Sequence, residues 1–291
     1  MCSPTMSPSS SSFSLLRILF RAARWRILLT YALFNLENLL RLAQPFALGW
    51  AINDLLRSSY TGLIVFAAQH ISHLVISLFR QMYDTRVFSN VYTDLATRLV
   101  TERRSQNTEV SHVAAWSSLS REFVEFFERH VPMAVQSLYS SLGGLVMLGI
   151  YDIMLIPVCL LLVLPVAALN WQYGKTTLVA SGKLHDEFER EVEVITFGDV
   201  DNVRSHYDQM ARWRVRLSDL EAVNFGLTEF FVLGLILVSL IRLCGLPGIA
   251  AGDLFAVFRY LMMFIMGVDS VPTLVQQLSR LQDIGRRLAA T

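Results

Sequence analysis

The chain has 291 residues, 53% of them hydrophobic and only 17% charged, with a formal net charge of +1 and a mean hydropathy of +0.44. That apolar excess sets it apart from ordinary soluble domains, and so small a net charge excludes the basic footprint of a nucleic-acid-binding protein. Cys2, Cys159 and Cys244 are too scattered for a disulfide framework or a thiolate metal site, which leaves an all-α polytopic membrane protein as the class.

Residues 1–12, rich in Ser and Pro, read as a disordered tail, with no apolar core or cleavage site of a signal peptide. From 13 to 26, Leu15, Leu16, Leu19 and Phe20 share a face, while Arg17, Arg21 and Arg24 recur at helical spacing. That pattern predicts a short interfacial helix before the first span. Six spans follow at 27–50, 62–80, 131–151, 153–172, 222–243 and 253–275, each near the ~20 residues a bilayer requires.

With both termini in the cytoplasm, only Arg57 and Arg242 of the 25 Lys and Arg fall at outer ends, and, apart from Arg80 at the inner edge of the second span, only Arg41 and Arg259 inside spans. This asymmetry satisfies the positive-inside rule and predicts an integral protein of a bacterial inner membrane with both ends inside. Pro132, Pro157, Pro165 and Pro272 can kink spans without ending them, and Gly143, Gly144 and Gly149 permit close helix packing on the third.

The two connections of about fifty residues, after the second and fourth spans, are predicted to be helical. Between 60 and 104 there is no Pro and only one Gly, Gly62, enough for a rod of about 65 Å at the helical rise. On the return, Trp116, Leu119, Phe123 and Phe126 repeat at three- and four-residue steps, a packing stripe. In the second connection, 183–197 is helix-compatible, Gly198 and Asp199 supply a stop and a new cap, and the helix resumes from Asn202. Each connection is therefore a helical hairpin projecting into the cytoplasm. The domain spans 13–280, followed by a short cytoplasmic tail over 281–291.

Several motifs give this architecture a family likeness. Gln44, Pro45 and Gly49 with Ile52, Asn53 and Asp54 resemble the Pro-x-x-x-Gly-x-x-Ile/Val-x-Asp ending of the first span in type IV ABC exporter transmembrane domains. Arg86, Tyr92, Leu95 and Arg98 resemble the pattern descending from the second span of that family. Residues 189–197 stand where it carries a Glu-rich turn and a Val-Lys-x-Phe-like stretch, with Thr196 in place of the Lys. The resemblance implies a six-helix transporter half that dimerises with itself or a homologous half. It also implies coupling helices near 108–115 (Thr108, Glu109, His112) and 183–189 (Lys183, Asp186, Glu189).

Such exporters usually continue into a nucleotide-binding domain with Gly-x-x-x-x-Gly-Lys-Ser/Thr, and here the chain ends soon after the sixth span. Gly174-Lys175-Thr176-Thr177 copies only the end of that motif. Leu169 stands in place of the first Gly, and an apolar helix precedes it rather than a strand, so no phosphate cradle forms. Lys175 reads as an interface anchor. The expectation is a non-enzymatic chain with no cofactor or metal of its own, ATP entering only through a separate subunit.

The candidate site lies at membrane depth. Asn35, Glu37, Asn38, Arg41 and Gln44 fall in the first span. Asn38, Arg41 and Gln44 share a face, and Glu37 sits one turn before Arg41, suited to an ion pair. A mid-bilayer Asp or Arg costs roughly 2.5–3.5 kcal/mol, so these side chains must face protein or water. Either they line a translocation cavity or they form a structural polar seam.

On the second span, His70, His73 and Ser77 make a ridge beside Gln69. With no acidic or Cys neighbour they suit hydrogen bonds across helices rather than a metal. Glu229 in the fifth span and Arg259 in the sixth complete the cavity candidates, with Asp253 and Asp269 flanking the last span. Glu37 and Glu229 are either proton carriers or partners of Arg41 and Arg259. Phe230, Phe231, Met262, Met263 and Phe264 nearby suit amphipathic or lipidic cargo. Arg212, Arg214 and Arg216 around Trp213 read as a solvated face touching anionic lipid.

The expected function is transport by alternating access with a separate ATPase. The alternatives are a proton-driven transporter without a motor, or a membrane scaffold or regulatory subunit. An intramembrane enzyme lacks its His-Glu-x-x-His or Gly-x-Gly-Asp signature.

Overall fold

In the computed structural model, residues 24–105 and 124–270 are described, with positions 118, 121, 122, 273, 274 and 277 besides. The tail over 1–12, the expected interfacial helix up to residue 23, the stripe residues Trp116, Leu119 and Phe123, the coupling candidates Thr108, Glu109 and His112, and the tail over 281–291 lie outside the described residues.

Six long helical stretches make up the described chain. α1 is Arg24–Leu56 and α2 is Thr61–Ser105. α3 runs over Phe126–Tyr151 and contains two π-helical turns, Phe126–His130 and Tyr139–Gly143. α4 is Leu155–Phe197, α5 is Val200–Cys244 and α6 is Ala251–Asp269. Five of the six, α2 to α6, are long and apolar enough to cross a membrane. α1 has the length, at 33 residues, but Asn35, Glu37, Asn38, Arg41 and Gln44 dilute its apolar character.

The rod expected from the Pro-free stretch is present: α2 is one helix of 45 residues. The second hairpin also turns where its sequence dictates. α4 ends at Phe197, Gly198 is extended (φ −78°, ψ 141°), and the Asp199 side chain accepts the Asn202 N–H at 2.8 Å to start α5. This is an ordinary N-cap, satisfying one of the amides a helix start leaves unpaired. The expectation of a separate short helix over 183–189 is corrected: Lys183, Asp186 and Glu189 lie inside the unbroken α4. No Gly or Pro interrupts the backbone between Lys183 and Phe197, so it keeps its hydrogen bonds until Gly198.

Helix contacts divide the chain into two units, one of residues 1–151 with 248–291 and one of 152–247. In the first, α2 and α6 pack against α1, and α3 packs against α6. The motif at the end of α1 explains part of this packing. Asn53 receives the Gly252 N–H at 2.7 Å and donates to Asp253 at 3.1 Å, so one amide side chain holds the start of α6. Asp54 accepts the Gly62 N–H at 2.8 Å and so caps the start of α2.

In the second unit, α4 and α5 form an antiparallel pair. Its far end is tied by Asn224 donating to Asn170 at 3.1 Å, by Tyr207 donating to Glu191 at 3.0 Å, and by buried His206 against Glu187 at 3.2 Å. Near the opposite end, Arg242 of α5 clasps Asp152, through Nε and through Nη2 at 3.2 Å.

The hydrogen bonds from Arg242 hold the Asp152 carboxyl below its usual range. A depressed carboxyl contributes stability above its unfolded value, near pH ~4, and loses it as pH falls through its lower folded value. The difference in melting temperature between the native chain and Asp152→Asn is therefore expected to be constant at neutral pH. It should shrink only below that point; a difference that closed between pH 7 and 5 would contradict the pairing.

Candidate functional site

Three helices of the first unit line an open cavity of about 650 Å³. Its polar wall is Arg41 and Gln44 from α1, Gln136 and Ser140 from α3, and Arg259 from α6. Methionines complete it, with Met133 on α3 and Met263 and Met266 on α6.

The local chemistry of α1 shapes this space. Pro45 inside the helix has no N–H to offer and disrupts the regular ladder. One residue on, the buried Tyr260 hydroxyl enters the gap, donating to the Leu42 carbonyl at 2.9 Å and receiving the Phe46 N–H at 3.2 Å. A side chain inserted into the helical ladder is an established cause of helix bending, and here it ties α6 to α1 beside Gln44. The second π-helical turn of α3, Tyr139–Gly143, adds an extra residue to its turn. Nearby, Ser137 donates to the Gly267 carbonyl at 2.9 Å, and the Tyr139 hydroxyl donates to Asn35 at 3.0 Å.

The polar residues of α1 divide between two roles, so the cavity and seam readings each hold for part of the set. Arg41 and Gln44 line the cavity. Asn38 does not, and the expectation that it would is corrected: it is buried and donates to the Phe34 carbonyl one turn back, at 2.8 Å. The physical reason is helical drift. Three-residue steps slip by about 60° each on a helix of 3.6 residues per turn, so Asn38 and Gln44 stand about 120° apart.

Glu37 is likewise buried and absent from the cavity wall. It accepts from Arg41 at 3.1 Å, as its spacing predicts. It also accepts from Arg80 of α2 and from Ser77 at 3.2 Å. Arg80 reaches on to Asp84 at 2.5 Å and lies over the Phe34 ring at 5.1 Å. The result is a balanced four-member network, Arg41–Glu37–Arg80–Asp84, joining α1 to α2. Arg80 and Asp84 were not legible as members, because nothing in sequence links Arg80 to a carboxylate 43 positions away.

The histidine ridge is partly satisfied. Gln44 Nε2 and His70 Nδ1 are 3.1 Å apart, and Gln69 donates to the Leu40 carbonyl at 2.7 Å. His73 stacks on His70, but its Nε2 is buried with no hydrogen bond among the described residues.

Arg259 is exposed in the cavity and makes no ion pair or hydrogen bond among the described residues. Glu229 sits exposed on α5 of the second unit. The Gly174-Lys175-Thr176-Thr177 fragment is plain α4 helix: Thr176 bonds the Gln172 carbonyl at 3.0 Å, and the Lys175 ammonium lies 3.5 Å from the Trp171 ring centroid. At the turn between α4 and α5, Phe197 and Val200 are each 84% exposed.

Helices long and apolar enough to cross a membrane, with a largely apolar cavity whose wall carries two arginines, fit a membrane transport module. Residues 16–252 match the family model described as ABC transporter transmembrane region, and the chain belongs to that family. No curated protein matches it.

Proposed function

We propose that the chain is one half of an exporter-like ABC transporter, working as a dimer with itself or a homologous half and moving cargo through the cavity of α1, α3 and α6 by alternating access. The observation that carries this reading is the cavity itself: about 650 Å³ lined by membrane-depth helices, with two arginines on its wall. Charged side chains at that depth are costly unless they serve a pathway or a partner. Both termini and both hairpins lie in the cytoplasm in this reading, which the distribution of Lys and Arg favours.

ATP turnover comes from outside residues 1–291, which carry no phosphate-cradling loop. The α4–α5 turn is the element placed to receive an ATPase. Phe197 and Val200 expose apolar surface there, whereas 183–189 lies along the flank of α4. A proton-driven mechanism finds no support at Glu37, whose charge is already shared by Arg41 and Arg80.

Native mass spectrometry of gently purified protein tests the assembly. The expected particle is a dimer carrying two ATPase subunits, and a persistent monomer would overturn the proposal. A Phe197→Asp/Val200→Asp variant is expected to stay dimeric and lose the ATPase. A dimer that carried no ATPase in either form would instead favour a scaffold or a gradient-driven carrier.

A further inference from the structure

We propose that the cavity of α1, α3 and α6 takes an anionic amphiphile, an acidic head on an apolar body, with Arg259 as the residue that recognises the head. This rests on the transporter reading above and specifies its cargo.

The argument starts from charge. Among the described lining residues there is no Asp or Glu, but there are two guanidiniums, Arg41 and Arg259. They are not equivalent. Arg41 and Arg80 are matched by Glu37 and Asp84 within the buried network, so those four side chains sum to zero. Arg259 stands outside that network and meets no carboxylate in the described chain. An arginine held at membrane depth without a protein partner is expensive, on the order of 2.5–3.5 kcal/mol. A guanidinium keeps its charge at any accessible pH and presents a fork of donors suited to carboxylate, phosphate or sulfonate oxygens. Its missing counter-charge is thus the natural place for the ligand's own.

The rest of the wall supplies the second half of the specification. Gln44, Gln136 and Ser140 offer neutral donors beside the cation. Met133, Met263 and Met266, with Phe255, make the remainder apolar. Methionine is unbranched and polarizable, so such a surface adapts to flexible chains rather than to one rigid shape. A purely inorganic anion would leave these side chains unused, and a cationic amphiphile would meet Arg259 head on.

The test uses the full chain in phosphatidylcholine nanodiscs and equilibrium dialysis with labelled n-dodecyl phosphate, subtracting uptake by empty nanodiscs. Inorganic phosphate and dodecyltrimethylammonium are the comparators. Saturable binding of dodecyl phosphate is expected, at least about tenfold tighter than inorganic phosphate, with no saturable binding of the cation. Arg259→Gln, which breaks no ion pair or hydrogen bond among the described residues, should weaken dodecyl phosphate by about tenfold, the scale of one charged hydrogen bond. Arg259→Lys should weaken it less.

Equal binding of the cationic amphiphile, binding of inorganic phosphate as tight as dodecyl phosphate, or an unchanged affinity in Arg259→Gln would overturn the assignment. Repeating the titration in phosphatidylglycerol nanodiscs separates two sources of the same chemistry. Competition there identifies a bilayer lipid headgroup, and undiminished binding identifies a single-chain amphiphile. Binding requires neither ATP nor movement. A chain that binds the probe but never transports it would keep this inference and sink the transporter reading, and transport that is indifferent to Arg259→Gln would do the reverse.

Discussion

Replacing Glu37 with Leu is expected to destabilise the protein by about 3–5 kcal/mol, the scale of removing one partner from a buried ion pair. Glu37 is 2% exposed and receives Arg41, Arg80 and Ser77 together. Without it, Arg41 loses its only ion-pair partner among the described residues and Arg80 retains Asp84 alone. A positive charge is then left uncompensated between α1 and α2. Most of the cost is that orphaned charge rather than the lost attraction, and this dictates the control. Arg80→Leu removes the cation instead, and the double variant Glu37→Leu/Arg80→Leu should be clearly less damaged than the sum of the two single changes. Melting temperatures of the four proteins in one detergent complete the cycle. If the two effects simply add, Glu37 and Arg80 do not act on one another and the network has been misassigned.

That network shows where the sequence is readable and where it is not. The Glu37–Arg41 pair follows from a four-residue spacing on one helix, so local geometry suffices to foresee it. Arg80 sits at the edge of an apolar run, where a long cation ordinarily reaches for the interface; only the approach of α2 to α1 turns it inward. The rod of α2 and the second hairpin were legible for a similar reason. The absence of Pro between 60 and 104 and the Gly198-Asp199 pair are local signals with local consequences, and α2, α4 and α5 obey them.

The expected helix over 183–189 failed because it came from likeness rather than from a backbone signal. Tyr260 left no trace in the sequence beyond Pro45, whose missing N–H marks a weak point in α1 without naming what fills it. The family likeness itself held across most of the chain, since it rested on the order and length of the elements.

The second large effect is expected where α1 and α6 cross. A Cβ placed on Gly49 would stand 2.5 Å from the Gly252 carbonyl oxygen and 3.0 Å from the Ala256 side chain. A Cβ on Gly252 would overlap the Gly49 carbonyl and press on Asn53, which itself holds the Gly252 amide. Overpacking a core usually costs about 1–3 kcal/mol, because side chains rotate out of the way. Here the obstacle is backbone on both sides, so relief requires the helices to part.

Gly49→Leu and Gly252→Leu are therefore each expected to cost at least about 3 kcal/mol and to lower the yield of monodisperse protein sharply. Gly226→Ala and Gly234→Ala, whose new methyls would meet nothing within 4 Å, should leave melting unchanged or slightly higher. Thermal melting followed by size exclusion checks all four, and a Gly49→Leu protein melting like the native chain would mean that the helices do not touch there.

The consequence extends beyond stability. Ala256 is one turn from Gly252, and Arg259 and Tyr260 lie one turn further along α6, the first on the cavity wall and the second bonded into α1 at Leu42 and Phe46. Small residues bring two membrane helices close enough for backbone contact. On this surface they also set the separation of the guanidiniums that α1 and α6 present to the cavity. Even the milder Gly49→Ala should therefore alter dodecyl phosphate binding before it unfolds the protein.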